Sequence, residues 1–264
     1  MDTVARHYTA GIHQAEEKLL PFLRRIEAYQ EALQMTRLDE QRQGLEDTVG
    51  DLFNRLKIDL ASLTPPDHLK DFHITFSKAV EHCAAAYGSF VIRFLKGRFI
   101  LCQAKHLLYD MRAELPLLQQ YWVLPDALPM LAALESRTPD VEVPVGLIRH
   151  EPTDNRYAYS LYVPENYTPQ KTWPLIVCLH GGYSRDDDYI LTWLRIAKSK
   201  GYLLLSPKSS RETWSAIRTP GTPPNPIIDL RSIRLMLDEV WETYTVDRGR
   251  IYATGFSDGG IFTH

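Results

Sequence analysis

The chain has 264 residues, of which 44% are hydrophobic and 24% charged, and its formal net charge is −3. This composition excludes a disordered or fibrous chain, and without a basic excess nucleic acid is not an expected partner. The length holds one large domain or two ordinary ones. No apolar stretch follows Met1-Asp2-Thr3-Val4-Ala5-Arg6, so no signal peptide is visible. Residues 90–102, the most apolar run of the first half, are interrupted by Arg93, Lys96 and Arg98, so no membrane span is expected. Cys83, Cys102 and Cys178 lie far apart without metal-ligand spacing. They read as buried thiols of a reducing, cytoplasmic compartment, and neither metal nor cofactor is expected.

Residues 1–140 hold 5 Gly and 7 Pro, whereas 141–264 hold 9 and 10 in a shorter stretch. The first half is therefore poor in helix breakers and the second rich in turns. Leu45, Val49, Leu52, Leu56, Leu60 and Leu63 recur at helical spacing, as do Leu69, Phe72, Phe76, Val80, Cys83, Tyr87, Phe90 and Phe94. Between the stripes, Thr64-Pro65-Pro66-Asp67 reads as a helix start, with Thr64 as cap and Pro65 at the first helical position. The pattern predicts helices over 3–36, 40–62, 65–96 and 98–121, and short connections predict an up-and-down bundle over 1–125. Residues 126–142, dotted with Pro129 and Pro139, read as a linker.

From residue 143 the grammar alternates. Strands are predicted over 143–149 and 156–163, joined by the turn-rich Glu151-Pro152-Thr153-Asp154-Asn155. Residues 173–179 form a continuous apolar run, as a strand buried on both faces should. A helix over 188–200, a strand over 202–206, a helix over 227–244 and a strand over 250–254 follow. Strands alternating with helices predict a mostly parallel α/β sheet.

Two motifs carry chemistry. Gly255-Phe256-Ser257-Asp258-Gly259 is a G-x-S-x-G between a predicted strand and a plausible helix start. Such a turn exposes a serine hydroxyl above the sheet at a positive helix N-terminus. Leu179-His180-Gly181-Gly182 ends the apolar strand. Acyl transfer needs two backbone N–H donors at the developing oxyanion. Asp258, after the serine, and Gly182 are the candidates, with Gly181 and Tyr183 as further loop contributors. His180 reads as a brace of its loop rather than a base, and His264 lies two turns from Ser257 along the same helix. Asp229 reads as compensation of a helix dipole. Asp186-Asp187-Asp188 reads as an ordinary acidic turn.

Residues from about 143 to 264 resemble the esterase branch of the α/β-hydrolase family. The resemblance rests on the strand followed by His180-Gly181-Gly182, on the helix entered through Asp229, and on Val246-Asp247-Arg248 with the run from Arg250 to Gly260. It is to phospholipase/carboxylesterase and polyhydroxybutyrate-depolymerase-like proteins, and it implies a serine hydrolase of carboxylic esters. Ser257 would be the nucleophile, Asp258 and Gly182 the oxyanion donors, and a small-molecule ester the substrate. The family's acid and base follow the serine, and no residue here matches them, so the reading is of a C-terminally truncated, inactive piece of a longer enzyme. A peptidase or thioesterase on the same scaffold, and a non-catalytic interaction protein, are the alternatives. The bundle would then serve as a lid, an oligomerisation element or a docking module.

Overall fold

The computed structural model describes residues 3–90, 94–138, 141–151, 157–184 and 186–264. The turn expected at 152–155 and the start of the strand expected at 156 lie outside the described residues. The chain divides into two compact units, Met1–Tyr121 and Trp122–His264. No helix among the described residues is long and apolar enough to cross a membrane.

The first unit is helical: α1 (Thr3–Glu31), α2 (Leu38–Val49), α3 (Leu52–Ser62), α4 (Lys70–Phe90) and α5 (Phe94–Asp110). The helix predicted over 40–62 is two helices. Gly50 takes φ 46° and its N–H donates to the Glu46 carbonyl, a left-handed stop that a glycine adopts without strain. The predicted start at Pro65 also moves. Pro66 is extended, Asp67–Leu69 form a 3-10 turn, and α4 begins only at Lys70. Both apolar stripes face the core, with Leu56, Leu60, Phe76, Val80 and Cys83 buried. Lys18 pairs with Asp59 and Phe22 packs edge-on against Phe53, which makes α1 and α3 antiparallel. Buried Glu16 accepts the N–H groups of Leu117 and Leu118, fixing the end of the unit to α1.

The second unit opens with helical turns rather than a bare connection. A 3-10 turn spans Pro125–Met130 and α6 spans Leu131–Glu135. The Lys198 ammonium, almost fully buried, lies 2.6 Å from Glu135 and 3.2 Å from Glu165, and so ties α6 to the helix that carries it. The sheet has five strands: β1 (Gly146–His150), β2 (Tyr159–Val163), β3 (Trp173–Leu179), β4 (Leu203–Pro207) and β5 (Val246–Gly255). Their order is β1-β2-β4-β3-β5. β1, β2 and β4 pair antiparallel, and β3 pairs parallel with β4 and β5, so the sheet is mixed.

The crossover helices are α7 (Asp186–Lys200) and α8 (Ile227–Thr243), and a short α9 (Asp258–Phe262) follows β5. Side chains alternate with the period of two that a strand imposes. Leu161, Val163, Leu175, Val177, Leu203 and Leu205 pack with Met236 and Val240 of α8. Ser160 and Tyr162 face the other way and bond to Asp186 at the start of α7 and to Glu165 beside Lys198. β3 is buried along its whole length, which places its C-terminal end, and the loops that follow it, above a rigid base.

Candidate active site

The two motifs meet at the C-terminal ends of β3 and β5. These strands run in register up to Leu179 beside Gly255. The Phe256 N–H then donates to the Leu179 carbonyl at 3.1 Å, which holds the chain against β3 as it leaves the strand. Ser257 follows with φ 53° and ψ −118°, and α9 starts at the next residue. For a side chain other than glycine this conformation costs about 1–3 kcal/mol. It turns the chain sharply and leaves Ser257 exposed.

The flanking glycines have a steric reason. A Cβ on Gly255 would overlap the Gly259 carbonyl, and a Cβ on Gly259 would overlap the Leu179 and His180 carbonyls. Gly181 is less tightly enclosed, since a Cβ there would sit 3.1 Å from the Phe256 ring and 3.4 Å from Ser257 Cβ. A Cβ on Gly182 would collide with Asp258 Oδ2. The sequence-predicted residues Ser257, Asp258, Gly181 and Gly182 are thus one contiguous cluster. Among the described residues, the N–H groups of Asp258 and Gly182 have no hydrogen-bond partner, and neither has Ser257 Oγ.

Tyr183 differs. Its N–H donates to the Glu212 carbonyl at 2.6 Å, so its backbone has no donor left to offer a ligand. It also has positive φ, 56°, and its side chain is 81% exposed. Tyr183 and Ser257 are the non-glycine residues with positive φ among the described residues.

His180 is a brace. Its ring is buried, with Nδ1 2.8 Å from the Gly181 carbonyl and Nε2 3.1 Å from the Ser209 N–H. Nε2 accepts from an amide, so Nδ1 carries the proton and the ring is neutral. Burial holds its pKa below the usual 6.5, against the raising influence of the Gly181 carbonyl and of Asp186, Asp229 and Asp188. His264 is exposed two residues past the end of α9, not on the helix expected to carry it, and no hydrogen bond joins it to Ser257. Asp186, in the first turn of α7, accepts from Ser160 Oγ, and burial raises its pKa.

Asp229 sits in the first turn of α8, as its dipole reading expects, and does more. It is buried and accepts the N–H groups of Ser210, at 2.9 Å, and of Ser215. It anchors the loop after β4. That loop is the part of the site that sequence reasoning missed. Thr213 Oγ donates to Asp258 Oδ2 at 2.6 Å. Trp214 donates from its indole to the His180 carbonyl at 2.7 Å and stacks on Phe262 of α9. A tryptophan within the Ser/Thr-rich stretch 209–215 was the available signal.

The chain is 29% identical over 109 residues to a bifunctional acetylxylan esterase/xylanase of Neocallimastix patriciarum, a match that covers 39% of this chain. This chain resembles the α/β-hydrolase esterases. It spans 15% of the length of that esterase/xylanase. No protein-family model matches. Among solved structures, a thermostable esterase is 24% identical over 44% of this chain and 35% of its own, with a TM-score of 0.33. A ferulic acid esterase from Anaeromyces mucronatus is 20% identical over 48% and 54%, with a TM-score of 0.32. A 2,6-dihydroxy-pseudo-oxynicotine hydrolase is 13% identical over 73% and 52%, with a TM-score of 0.31. In this esterase-like chain the exposed serine and the glycine loop of the two motifs pack against one another.

Proposed function

We propose that residues 143–264 carry the nucleophile and the oxyanion site of a serine hydrolase that cleaves carboxylic esters. The observation that supports it most is the elbow itself: an exposed Ser257 at positive φ, with Gly181 packed on it and two unbonded N–H groups, of Asp258 and Gly182, in the same cluster. Ser257 Oγ attacks the ester carbonyl while a general base takes its proton. The carbonyl oxygen becomes an oxyanion and accepts from Asp258 and Gly182. Collapse expels the alcohol and leaves an acyl-serine, which water hydrolyses to the acid and free enzyme. The esterase activity in the relative's name supports this substrate class. The reading needs no metal and no cofactor, and the buried thiols Cys83 and Cys178 suit a cytoplasmic setting.

The base is not supplied by a described residue bonded to Ser257, because His180 uses both ring nitrogens elsewhere. Hydrolysis of p-nitrophenyl butyrate without such a base is therefore expected to be slow, with oxyanion donors contributing on the order of 10³-fold over water. Where a base is at hand to activate Ser257, a fluorophosphonate probe should label it. Ser257→Ala should abolish both labelling and ester hydrolysis. Labelling that persists in the alanine variant removes Ser257 from the mechanism.

A further inference from the structure

The two positive-φ residues of the second unit, Tyr183 and Ser257, lie on adjoining turns, since Gly181 and Gly182 pack against Ser257 and Asp258. Ser257 is explained by the elbow, but Tyr183 has no role in the chemistry above. Its N–H is consumed by the Glu212 carbonyl, and the Ser184 N–H closes the turn onto the Gly181 carbonyl at 3.2 Å. The backbone is thus clamped in a left-handed conformation that a bulky residue rarely adopts. A glycine would hold this turn without strain, so the turn does not need the ring. Nor does the core take it, because the side chain is 81% exposed, the most exposed of the large apolar side chains described.

The position is tied to the site from both sides. Tyr183 follows Gly182, which abuts the Asp258 carboxylate. Glu212, which holds the Tyr183 N–H, precedes Thr213, whose hydroxyl donates to that same carboxylate. An aromatic side chain therefore projects from a backbone held beside the proposed oxyanion site, and it is open to solvent. Strain maintained at such a place points from the outlier to a functional use.

We propose that Tyr183 is a specificity-determining residue, whose ring stacks on the flat ring of an aromatic carboxylic ester held over Ser257. This rests on the serine-hydrolase reading for what lies over the serine. Ring stacking of this kind changes affinity about 2- to 10-fold.

The test reads binding, so that it does not depend on turnover. Saturation-transfer NMR would compare benzyl butyrate with ethyl butyrate, on the wild-type protein and on Tyr183→Ala, Tyr183→Gly and Tyr183→Phe, each first checked for an unchanged melt. Tyr183→Ala and Tyr183→Gly should weaken benzyl butyrate binding about fivefold. Tyr183→Phe should stay within about twofold of wild type, and ethyl butyrate should bind all four forms alike. Equal loss for both esters, no loss for either, or recovery of binding in Tyr183→Gly would overturn the proposal, as would no binding of benzyl butyrate at all. Failure here alongside abolished hydrolysis in Ser257→Ala would leave the hydrolase reading standing. Ring-dependent binding with undiminished hydrolysis in Ser257→Ala would do the reverse.

Discussion

Replacing Asp229 with alanine separates two accounts of one carboxylate. As a compensator of the α8 dipole it would contribute about 0.3–1 kcal/mol, and salt would screen that contribution. As the acceptor of two backbone N–H groups at a site that is 1% exposed, it does more. Asp229→Ala leaves the buried Ser215 amide without an acceptor, whereas Ser210 is exposed and its amide can turn to water. A buried donor orphaned in this way costs about 1–3 kcal/mol. The expected loss is therefore about 1–3 kcal/mol, nearly independent of salt. Asp229→Asn keeps one acceptor oxygen and should lose roughly half as much. All five tryptophans, Trp122, Trp173, Trp193, Trp214 and Trp241, lie in the second unit, so urea unfolding followed by tryptophan fluorescence reports that unit alone. A loss below about 1 kcal/mol that shrinks further at high salt would restore the dipole account and refute the anchoring one.

Protonation of His180 supplies a second test. Its folded pKa lies below the unfolded value, so below about pH 6.5 the unfolded chain binds more protons than the folded one. Stability of the second unit should therefore be full above that pH and fall as pH drops through it, with a limiting slope of about 1.4 kcal/mol per pH unit. Fluorescence-detected urea midpoints for wild type and His180→Asn should show this slope only in wild type, and equal slopes would refute the assignment. Residues 1–121, with their own periodic core, are expected to fold alone, and a non-cooperative circular-dichroism melt with little helix would contradict this.

What the sequence made legible was what periodicity and local chemistry encode. The run from Trp173 to Leu179 is a strand from end to end because every residue in it is apolar and buried on one face or the other. The start of α8 was equally plain, because Pro226 precedes a helical stripe. The elbow was legible because only glycine fits at positions 255 and 259, which leaves a mark in the letters. Helix ends were less so. Gly50 lies inside an unbroken apolar stripe, and only its left-handed φ reveals the break. The loop after β4 was illegible for a different reason. Thr213 meets Asp258 across 45 residues, Ser209 meets His180 across 29, and Asp229 reaches back 14 and 19 to Ser215 and Ser210. These pairs have no period and no fixed spacing, so they exist only once the sheet has brought β3, β4 and β5 side by side.

That loop also explains how the site keeps two residues in conformations they would not choose. Positive φ at Ser257 and Tyr183 costs about 1–3 kcal/mol each. Around Ser257, Phe256 N–H bonds to Leu179, Gly259 N–H to Phe256 and Ile261 N–H to Ser257; around Tyr183, its own N–H bonds to Glu212 and Ser184 N–H to Gly181. At about 0.5–1.5 kcal/mol net per bond, these offset the strain without a large surplus. The margin comes from one step further out. Glu212 can hold Tyr183 only while its loop is fixed by Asp229 through Ser210 and Ser215 and by His180 through Ser209, and those anchors are buried. Loss of a buried anchor should therefore release Tyr183 and the Gly182 donor before it unfolds the sheet, because β3 is held by its own ladder and core on both sides. In Asp229→Asn, ring-dependent binding of benzyl butyrate should weaken under conditions in which tryptophan fluorescence still reports a folded unit. Binding that persists until the sheet melts would mean that Tyr183 is held by its own two bonds alone.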